Sequence, residues 1–305
     1  MKSLDWMGDG LGVALATPFL GDGSLDEAGL IRLVQHVVRG GADFVVSLGS
    51  TGEASMLDDA ERERVIARTR EHCGPAALVI GTGASSTKQA LTFTRRAAEL
   101  GASAALVVVP PYTKPTQDGI VAHYAALADA VPGLPLIAYN VPSRTGVNLL
   151  PQTVARLWQN ANVVALKESS GNIAQISRIA AELPRDRALL AGDDGLLLPT
   201  VAVGGHGVVS VAGNVVPTAM RDLLRSARAG DLTHARALQA TLEPLFDALA
   251  LESNPIPVKA ALDLVGVCRA DMRLPLLAAS TATRTALQLA LRRVPATAQE
   301  ASHHA

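Results

Sequence analysis

The chain has 305 residues, of which 49% are hydrophobic and 18% charged, so it can bury either one large core or two smaller ones. Its formal net charge of -1 excludes a basic surface for nucleic acid or an anionic membrane and favours a small-molecule partner. Two cysteines, Cys73 and Cys268, exclude a disulfide framework. Because Met1 to Trp6 lacks a hydrophobic signal core and every apolar stretch is interrupted, we expect a cytoplasmic protein without membrane spans.

Short apolar runs alternate with segments of helical periodicity from the N-terminus to Gly230. Each run is apolar on both faces, which is typical of parallel strands covered by helices. The runs predict strands at Val13 to Ala16, Phe44 to Ser47, Ala77 to Ile80, Ala104 to Val109, Leu136 to Tyr139, Val163 to Leu166, Ala188 to Ala191 and Val208 to Val211. The segments predict helices at Asp26 to Arg39, Asp58 to Cys73, Thr87 to Leu100, Gln117 to Ala130, Pro151 to Gln159, Ile173 to Glu182, Leu196 to Val203 and Pro217 to Ala229.

Eight such repeats predict an α/β fold, a (β/α)8 TIM barrel over residues 1–230. A doubly wound open sheet is the alternative, but no Gly-x-Gly-x-x-Gly turn follows an early strand. After Gly230 the alternation stops, which predicts a C-terminal helical subdomain over 231–294 and a disordered tail over 295–305. The subdomain's helices are predicted at Leu232 to Leu251, Pro257 to Gly266 and Leu276 to Leu291, with Asn254 to Lys259 interpreted as a helix start.

Lys167 is the most informative residue, because it ends the apolar run from Val163 to Leu166. An ammonium at the end of a buried strand is costly unless it is paired or loses its proton, and the neutral amine is a nucleophile. Since the active site of such a barrel lies at the carboxyl ends of its strands, Lys167 is a candidate Schiff-base lysine. Tyr139 ends the preceding strand, and its hydroxyl, relayed by a serine or threonine, is suited to shuttle the protons of imine formation.

Two loops carry candidate binding groups. Ser50 and Thr51 follow the second strand between glycines, and their hydroxyls and backbone N–H groups suit a carboxylate, although a plain strand-to-helix turn is the alternative. Arg144 lies just beyond Tyr139, and its guanidinium fork suits a second carboxylate. The strand ends carry no histidine or cysteine cluster, so we expect no metal site and no cofactor.

Each of these residues also has a purely structural interpretation. A lysine after a strand is more often a solvated surface residue, Tyr139 alone is more often a packing residue, and Arg144 alone is more often a solvated charge. We interpret Asp193 and Asp194 as helix N-cap residues rather than as acid catalysts. The joint placement at strand ends, rather than any single residue, indicates an active site.

Five segments together resemble the dihydrodipicolinate synthase family of pyruvate-dependent class I aldolases. The resemblance runs from about Gly12 to Leu277, and its most specific part is the octapeptide that begins at Tyr139. The segments are Gly49 to Glu53, Tyr139 to Gly146, Leu166 to Glu168, Gly205 to Ser210 and Asn254 to Lys259.

The resemblance implies a lyase that condenses pyruvate with L-aspartate 4-semialdehyde in the diaminopimelate route to lysine. It implies that Lys167 forms the Schiff base and that Tyr139, Ser50 and Tyr112 form the proton relay. In the family the tyrosine matching Tyr112 enters the neighbouring subunit's site. The resemblance therefore implies a dimer as the minimal active unit, and it also implies the family's usual assembly, a homotetramer built as a dimer of dimers.

The resemblance assigns the binding groups as well. Thr51 would hold the carboxylate of pyruvate, Arg144 would bind that of the semialdehyde, and the backbone carbonyl of Val209 would lie near the bound pyruvate. One departure from the family is a serine instead of a threonine at position 50, which keeps the hydroxyl and loses a methyl group that restricts its rotamer.

A second departure concerns regulation. The family's regulatory site for lysine commonly uses a histidine pair, a glutamate and a tyrosine. The matching positions here are Asp59, Arg62, Gln89 and Pro111. We therefore expect weak or absent inhibition by lysine.

Related lyases remain the alternative function, among them N-acetylneuraminate lyase and 2-keto-3-deoxygluconate aldolase, because they share the barrel, the lysine and the tyrosine. Arg144 discriminates, since a semialdehyde with a carboxylate requires a cation where a polyol aldehyde requires neutral hydrogen-bond partners. A barrel without catalysis that only binds a 2-oxo acid or a protein is a further alternative. The joint presence of Lys167, Tyr139 and the hydroxyl groups argues against it.

Overall fold

The computed structural model describes residues 4–295, and eight parallel strands in this range close into a barrel in the order of the sequence. Each strand pairs with the next and the eighth pairs with the first, which confirms the predicted (β/α)8 fold. The strands are β1 Leu11–Ala14, β2 Phe44–Ser47, β3 Ala77–Gly81, β4 Ala104–Val108, β5 Leu136–Asn140, β6 Val163–Glu168, β7 Ala188–Ala191 and β8 Gly207–Ser210.

Helices cover the outside of the barrel and continue beyond it as a C-terminal group. Those before residue 230 are α1 Glu27–Arg39, α2 Asp59–His72, α3 Thr87–Glu99, α4 Gln117–Ala130, α5 Pro142–Thr145, α6 Pro151–Leu157, α7 Ile173–Ala181, α8 Leu197–Ala202 and α9 Pro217–Arg228. The C-terminal group is α10 Leu232–Ala250, α11 Ile256–Leu264 and α12 Thr281–Leu291. Within residues 4–295 we find no helix that combines the length and the hydropathy of a membrane span.

The predicted helix starts are explained by their caps. Asp58 and Glu61 form a capping box before α2, in which the Asp58 carboxylate accepts from the Glu61 backbone N–H at 2.8 Å and the Glu61 carboxylate accepts from the Asp58 N–H at 3.2 Å. Asp26 caps α1 through the N–H of Gly29 at 2.8 Å. Local side-chain chemistry therefore sets where these two helices begin.

Apart from shifts of one or two residues at element ends and the short 3-10 turns, two elements differ from the predictions. The last helix starts at Thr281 instead of Leu276: Ser280 caps it by accepting from the backbone N–H of Thr283 at 3.2 Å, and Leu276 lies before the helix and lines a cavity. The one-turn helix α5, which carries Arg144, was not predicted. The predicted tail lies, apart from Pro295, outside the described residues.

The C-terminal helices share a hydrophobic core with the first strands of the barrel. A buried ion pair adds to this contact: the Nζ of Lys259 on α11 lies 2.7 Å from Oε1 of Glu53, in the loop after β2, and 3.0 Å from the backbone oxygen of Thr17. Both charged side chains are fully buried. The predicted subdomain boundary at residue 230 stays a prediction.

Candidate active site

A cavity of about 520 Å³ lies at the carboxyl ends of the strands, with α10 as one wall. Five of the predicted site residues line it, from strand ends, loops and the one-turn helix α5 on the same face of the barrel. They are Ser50, Thr51, Tyr139, Arg144 and Lys167.

Lys167 and Tyr139 face each other across two neighbouring strands. They are paired in the β5–β6 register, and the Nζ of Lys167 lies 4.4 Å from the centroid of the Tyr139 ring. Their exposed fractions are 4% and 7%. Gly192, at the end of β7, makes room for them: a Cβ at this position would lie 3.0 Å from Cε of Lys167 and closer still to Ser169. The Lys167 amine and the Tyr139 ring thus share one confined space.

Arg144 and Thr51 are joined by Asn254. The Arg144 guanidinium donates to the backbone oxygen of Asn254 at 2.8 Å, and the Asn254 side-chain amide donates to Oγ1 of Thr51 at 2.9 Å. Arg144 is placed by α5, which begins at Pro142 and is capped after Thr145 by Gly146 with φ 76°. Asn254 precedes α11, as expected of a helix start, but it also lines the cavity. The sequence signal for this place in the cavity lining was its position in the family motif Asn254 to Lys259.

The interpretation of Asp193 and Asp194 as an N-cap pair holds only for the position of Asp193, because neither side chain caps the turn that follows. Asp193 precedes a short 3-10 turn without capping it through its side chain, and instead lines the cavity. Asp194 accepts from the backbone N–H groups of Val211 and Ala212 at 3.1 and 2.8 Å, so it holds the loop after β8. Burial raises the pKa of both carboxyls, and the charge of Lys167 acts against this rise.

Two predicted site residues lie outside this cavity. Val209 is fully buried on β8 and packs in the same core cluster as Tyr139. Tyr112 is 89% exposed, and its backbone adopts φ 71°, a left-handed conformation that is strained for an aromatic residue. The structure therefore brings Val209 close to the site through the core and directs Tyr112 to the protein surface.

A second cavity, of about 360 Å³, adjoins the first and shares Ser50, Tyr139, Arg144 and Asn254 with it. Its lining is more apolar and includes Pro111.

Two of the positions that match the family's regulatory site, Asp59 and Arg62, line a separate cavity of about 200 Å³. Arg62 packs over the Phe93 ring at 4.1 Å and donates to the backbone oxygen of Ala54 at 2.9 Å, so its guanidinium is already engaged. Within residues 4–295, His, Cys, Asp and Glu side chains form no group of three or more arranged to hold a metal ion.

Comparison with known proteins agrees with this geometry. The family model described as the dihydrodipicolinate synthetase family matches residues 7–294. A 4-hydroxy-tetrahydrodipicolinate synthase of Thermomicrobium roseum is 48% identical over 287 residues, which cover 94% of each chain. The dihydrodipicolinate synthase of Thermotoga maritima is 39% identical with a TM-score of 0.90, over 92% of this chain and 97% of that one. The Acinetobacter baumannii dihydrodipicolinate synthase complexed with pyruvate is also 39% identical with a TM-score of 0.90, over 93% and 97%. The chain therefore belongs to the dihydrodipicolinate synthetase family.

Proposed function

We propose that this protein is a 4-hydroxy-tetrahydrodipicolinate synthase, a lyase that condenses pyruvate with L-aspartate 4-semialdehyde in the diaminopimelate route to lysine. The observation that carries the proposal is the buried pair of Lys167 and Tyr139 inside one cavity. The names of relatives that match nearly the whole chain support it.

Lys167 is the nucleophile in this mechanism. Its neutral amine attacks C2 of pyruvate to give a carbinolamine, which loses water to form an imine. Removal of a proton from C3 gives the enamine, which attacks the aldehyde carbon of the second substrate. Each step moves a proton, and the hydroxyls of Tyr139 and Ser50 line the cavity in which these transfers take place.

Two groups supply binding for the carboxylates. Thr51, in the loop after β2, holds the carboxylate of pyruvate, and the Val209 carbonyl lies beside the same substrate. Arg144 binds the carboxylate of the semialdehyde, and its position on the cavity wall supports this role. A sugar-derived aldehyde offers no carboxylate at that place, which favours the synthase over the related lyases.

The test is chemical trapping followed by a choice of aldehyde. Incubation with pyruvate and borohydride is expected to leave a reduced adduct on Lys167, located by mass spectrometry of the digested protein. The Lys167→Arg variant is the matched control and is expected to give no adduct. L-aspartate 4-semialdehyde and sugar aldehydes are then compared as acceptors. Absence of an adduct overturns the Schiff-base mechanism, and turnover of sugar aldehydes alone assigns the protein to the lyase branch.

We infer that the enzyme is a cytoplasmic homotetramer built as a dimer of dimers, in which Tyr112 completes the proton relay of the neighbouring subunit. The exposed position of Tyr112 supports this inference, since a strained and exposed aromatic side chain has no packing role within its own chain. Cys73 and Cys268 are both free and buried, which is consistent with a reducing compartment.

A further inference from the structure

Asn140 and Glu168 form a buried pair directly beside the catalytic pair. They follow Tyr139 and Lys167 in sequence, and the β5–β6 register aligns Asn140 with Glu168 as it aligns Tyr139 with Lys167. Both residues are 0% exposed. The Asn140 amide donates to the two carboxylate oxygens of Glu168 at 3.0 and 3.1 Å.

Further hydrogen bonds hold each partner in place. The Glu168 carboxylate accepts from the backbone N–H of Ser170 at 2.7 Å. The Asn140 side chain accepts from the backbone N–H of Leu149 at 2.9 Å and donates to Asn148 at 2.8 Å. The pair therefore fixes the loop after β6 as well as the segment that follows Arg144.

The pair faces away from the substrate cavity. Successive residues of a strand point to opposite faces, so Lys167 points into the barrel and Glu168 points to the helix layer, where Gln175 of α7 lies 3.5 Å away. Burial raises the pKa of the Glu168 carboxyl, while its hydrogen bonds to Ser170 and Asn140 act against the rise. Glu168 thus makes no contact with the reacting atoms.

The β5–β6 ladder has an irregularity at its other end. The register shifts between Leu136 and Ile137, which pair with Val163 and Ala165, so Val164 is an extra residue in β6. Because a one-residue slip exchanges the two faces of a strand, pairing at the lower end does not by itself guarantee the register at the upper end.

We propose that Asn140 and Glu168 are positioning residues, whose hydrogen-bonded pair holds the upper ends of β5 and β6 in the register that sets Lys167 against Tyr139. The proposal rests on the proposed function, because it gives the pair a role in imine formation. Small displacements of reacting groups have large kinetic effects: a misplacement of about 1 Å can cost roughly 100-fold in rate.

The test measures the rate of Lys167 adduct formation at saturating pyruvate, together with the pyruvate dissociation constant and the melting temperature. In Glu168→Gln an amide NH2 group replaces one carboxylate oxygen, so that it faces the NH2 group of Asn140 and two donors meet. In Asn140→Asp two carboxylates face each other. We expect each variant to slow adduct formation by about 10- to 100-fold with a dissociation constant changed by less than about 3-fold.

The double variant Asn140→Asp with Glu168→Gln exchanges donor and acceptor while keeping the size of both side chains. It restores the hydrogen bond within the pair, though not the bond from position 140 to Asn148, and we expect the adduct rate to return to within about 5-fold of the wild-type rate. This recovery depends on the pair itself and not on either residue alone.

Asn162 provides the matched control for stability. It precedes β6 at the opposite end of the strand, is buried, and donates to the backbone oxygens of Ala128, Val131 and Leu134 at 3.1–3.3 Å. Asn162→Ala is expected to lower the melting temperature without slowing adduct formation. If Asn162→Ala slows adduct formation as much as the two single variants do, or if both single variants keep the wild-type rate, the positioning role is overturned while the proposed function is unaffected. A wild-type protein that forms no adduct overturns the proposed function and this role with it.

Discussion

At the residue scale, the chemistry of the site depends on a lysine that cannot be distinguished in isolation from a surface lysine. Tyr139 and Lys167 are distinguished from surface residues because both are buried and are paired in the β5–β6 register. Sequence reasoning identified both, since each ends an apolar run. It missed the cavity roles of Asp193 and Asn254, because burial and long-range contacts, rather than local pattern, give these residues their positions.

Arg144 is expected to determine the affinity for the second substrate. Arg144→Ala removes the cation from the cavity wall, and we expect KM for the semialdehyde to rise about 10- to 100-fold, since hydrogen bonds to charged groups contribute roughly 1.5–3 kcal/mol. The rate of pyruvate adduct formation stays unchanged. Arg156→Ala is the control, because Arg156 pairs with Asp118 on the outer surface. A fall in the rate of pyruvate adduct formation as large as the rise in KM for the semialdehyde would contradict this role.

Regulation by lysine is expected to be weak or absent. Aspartate, arginine, glutamine and proline stand where the family commonly has its regulatory side chains, and Arg62 is held by Phe93 and Ala54. Initial rates measured with added L-lysine, at subsaturating and saturating pyruvate, check the expectation. Potent inhibition at sub-millimolar lysine would refute it.

At the scale of elements, all eight predicted strands are present within residues 4–295, and two of them, Phe44–Ser47 and Ala188–Ala191, have the predicted bounds. Strands and capped helices were predictable because periodicity and capping act locally. The start of α12 was not, because Leu276 to Ala279 extend the apolar pattern although the helix begins only after its cap, Ser280.

The packing of α4 on α3 predicts a loss of stability in acid. His123 on α4 is 4% exposed and lies 3.0 Å from Oγ1 of Thr87, and burial lowers the pKa of His123 from 6.5 to about 4. The unfolded chain takes up this proton below pH 6.5 and the folded chain only near pH 4. The stabilisation is therefore complete above pH 6.5 and is lost as the pH falls towards 4, by about 2–3 kcal/mol.

Urea unfolding at pH 7 and pH 4.5 measures this effect. We expect His123→Gln to lose less stability between the two pH values than the wild-type protein does. His234→Gln, on an exposed position of α10, is the control and is expected to keep the wild-type dependence. An unchanged pH dependence in His123→Gln would show that other groups cause the acid loss.

At the scale of the whole molecule, the C-terminal helices are attached to the barrel by the buried pair of Lys259 and Glu53. Lys259→Met is expected to lower the free energy of unfolding by about 3–5 kcal/mol, because the remaining carboxylate stays buried without its partner. Adding Glu53→Gln should regain part of this loss. Arg284→Met breaks the exposed pair with Asp263, and we expect a cost below about 1 kcal/mol. Equal costs for the two pairs, measured by denaturant unfolding, would contradict the argument.

Assembly is tested by mixing two inactive variants. If Tyr112 acts in the neighbouring subunit, a mixed dimer of Tyr112→Ala and Lys167→Ala contains one complete site. Random exchange should then restore about a quarter of the sites. Activity that does not recover after subunit exchange places Tyr112 in its own subunit's site. Analytical ultracentrifugation should show a mass four times that of the 31.6 kDa chain.

The sequence alone determined the barrel, the order of its strands, the capped helix starts and the family motifs, because hydrophobic periodicity, capping and short motifs are local properties of the chain. Only the tertiary structure decided which side chains meet: the ring of Tyr139 at Lys167, the Asn254 bridge between Thr51 and Arg144, and the pair of Asn140 with Glu168. The physical reason is that these contacts join residues far apart in sequence: the register of β5 with β6 aligns two of the pairs, and the packing of the C-terminal helices on the barrel places Asn254.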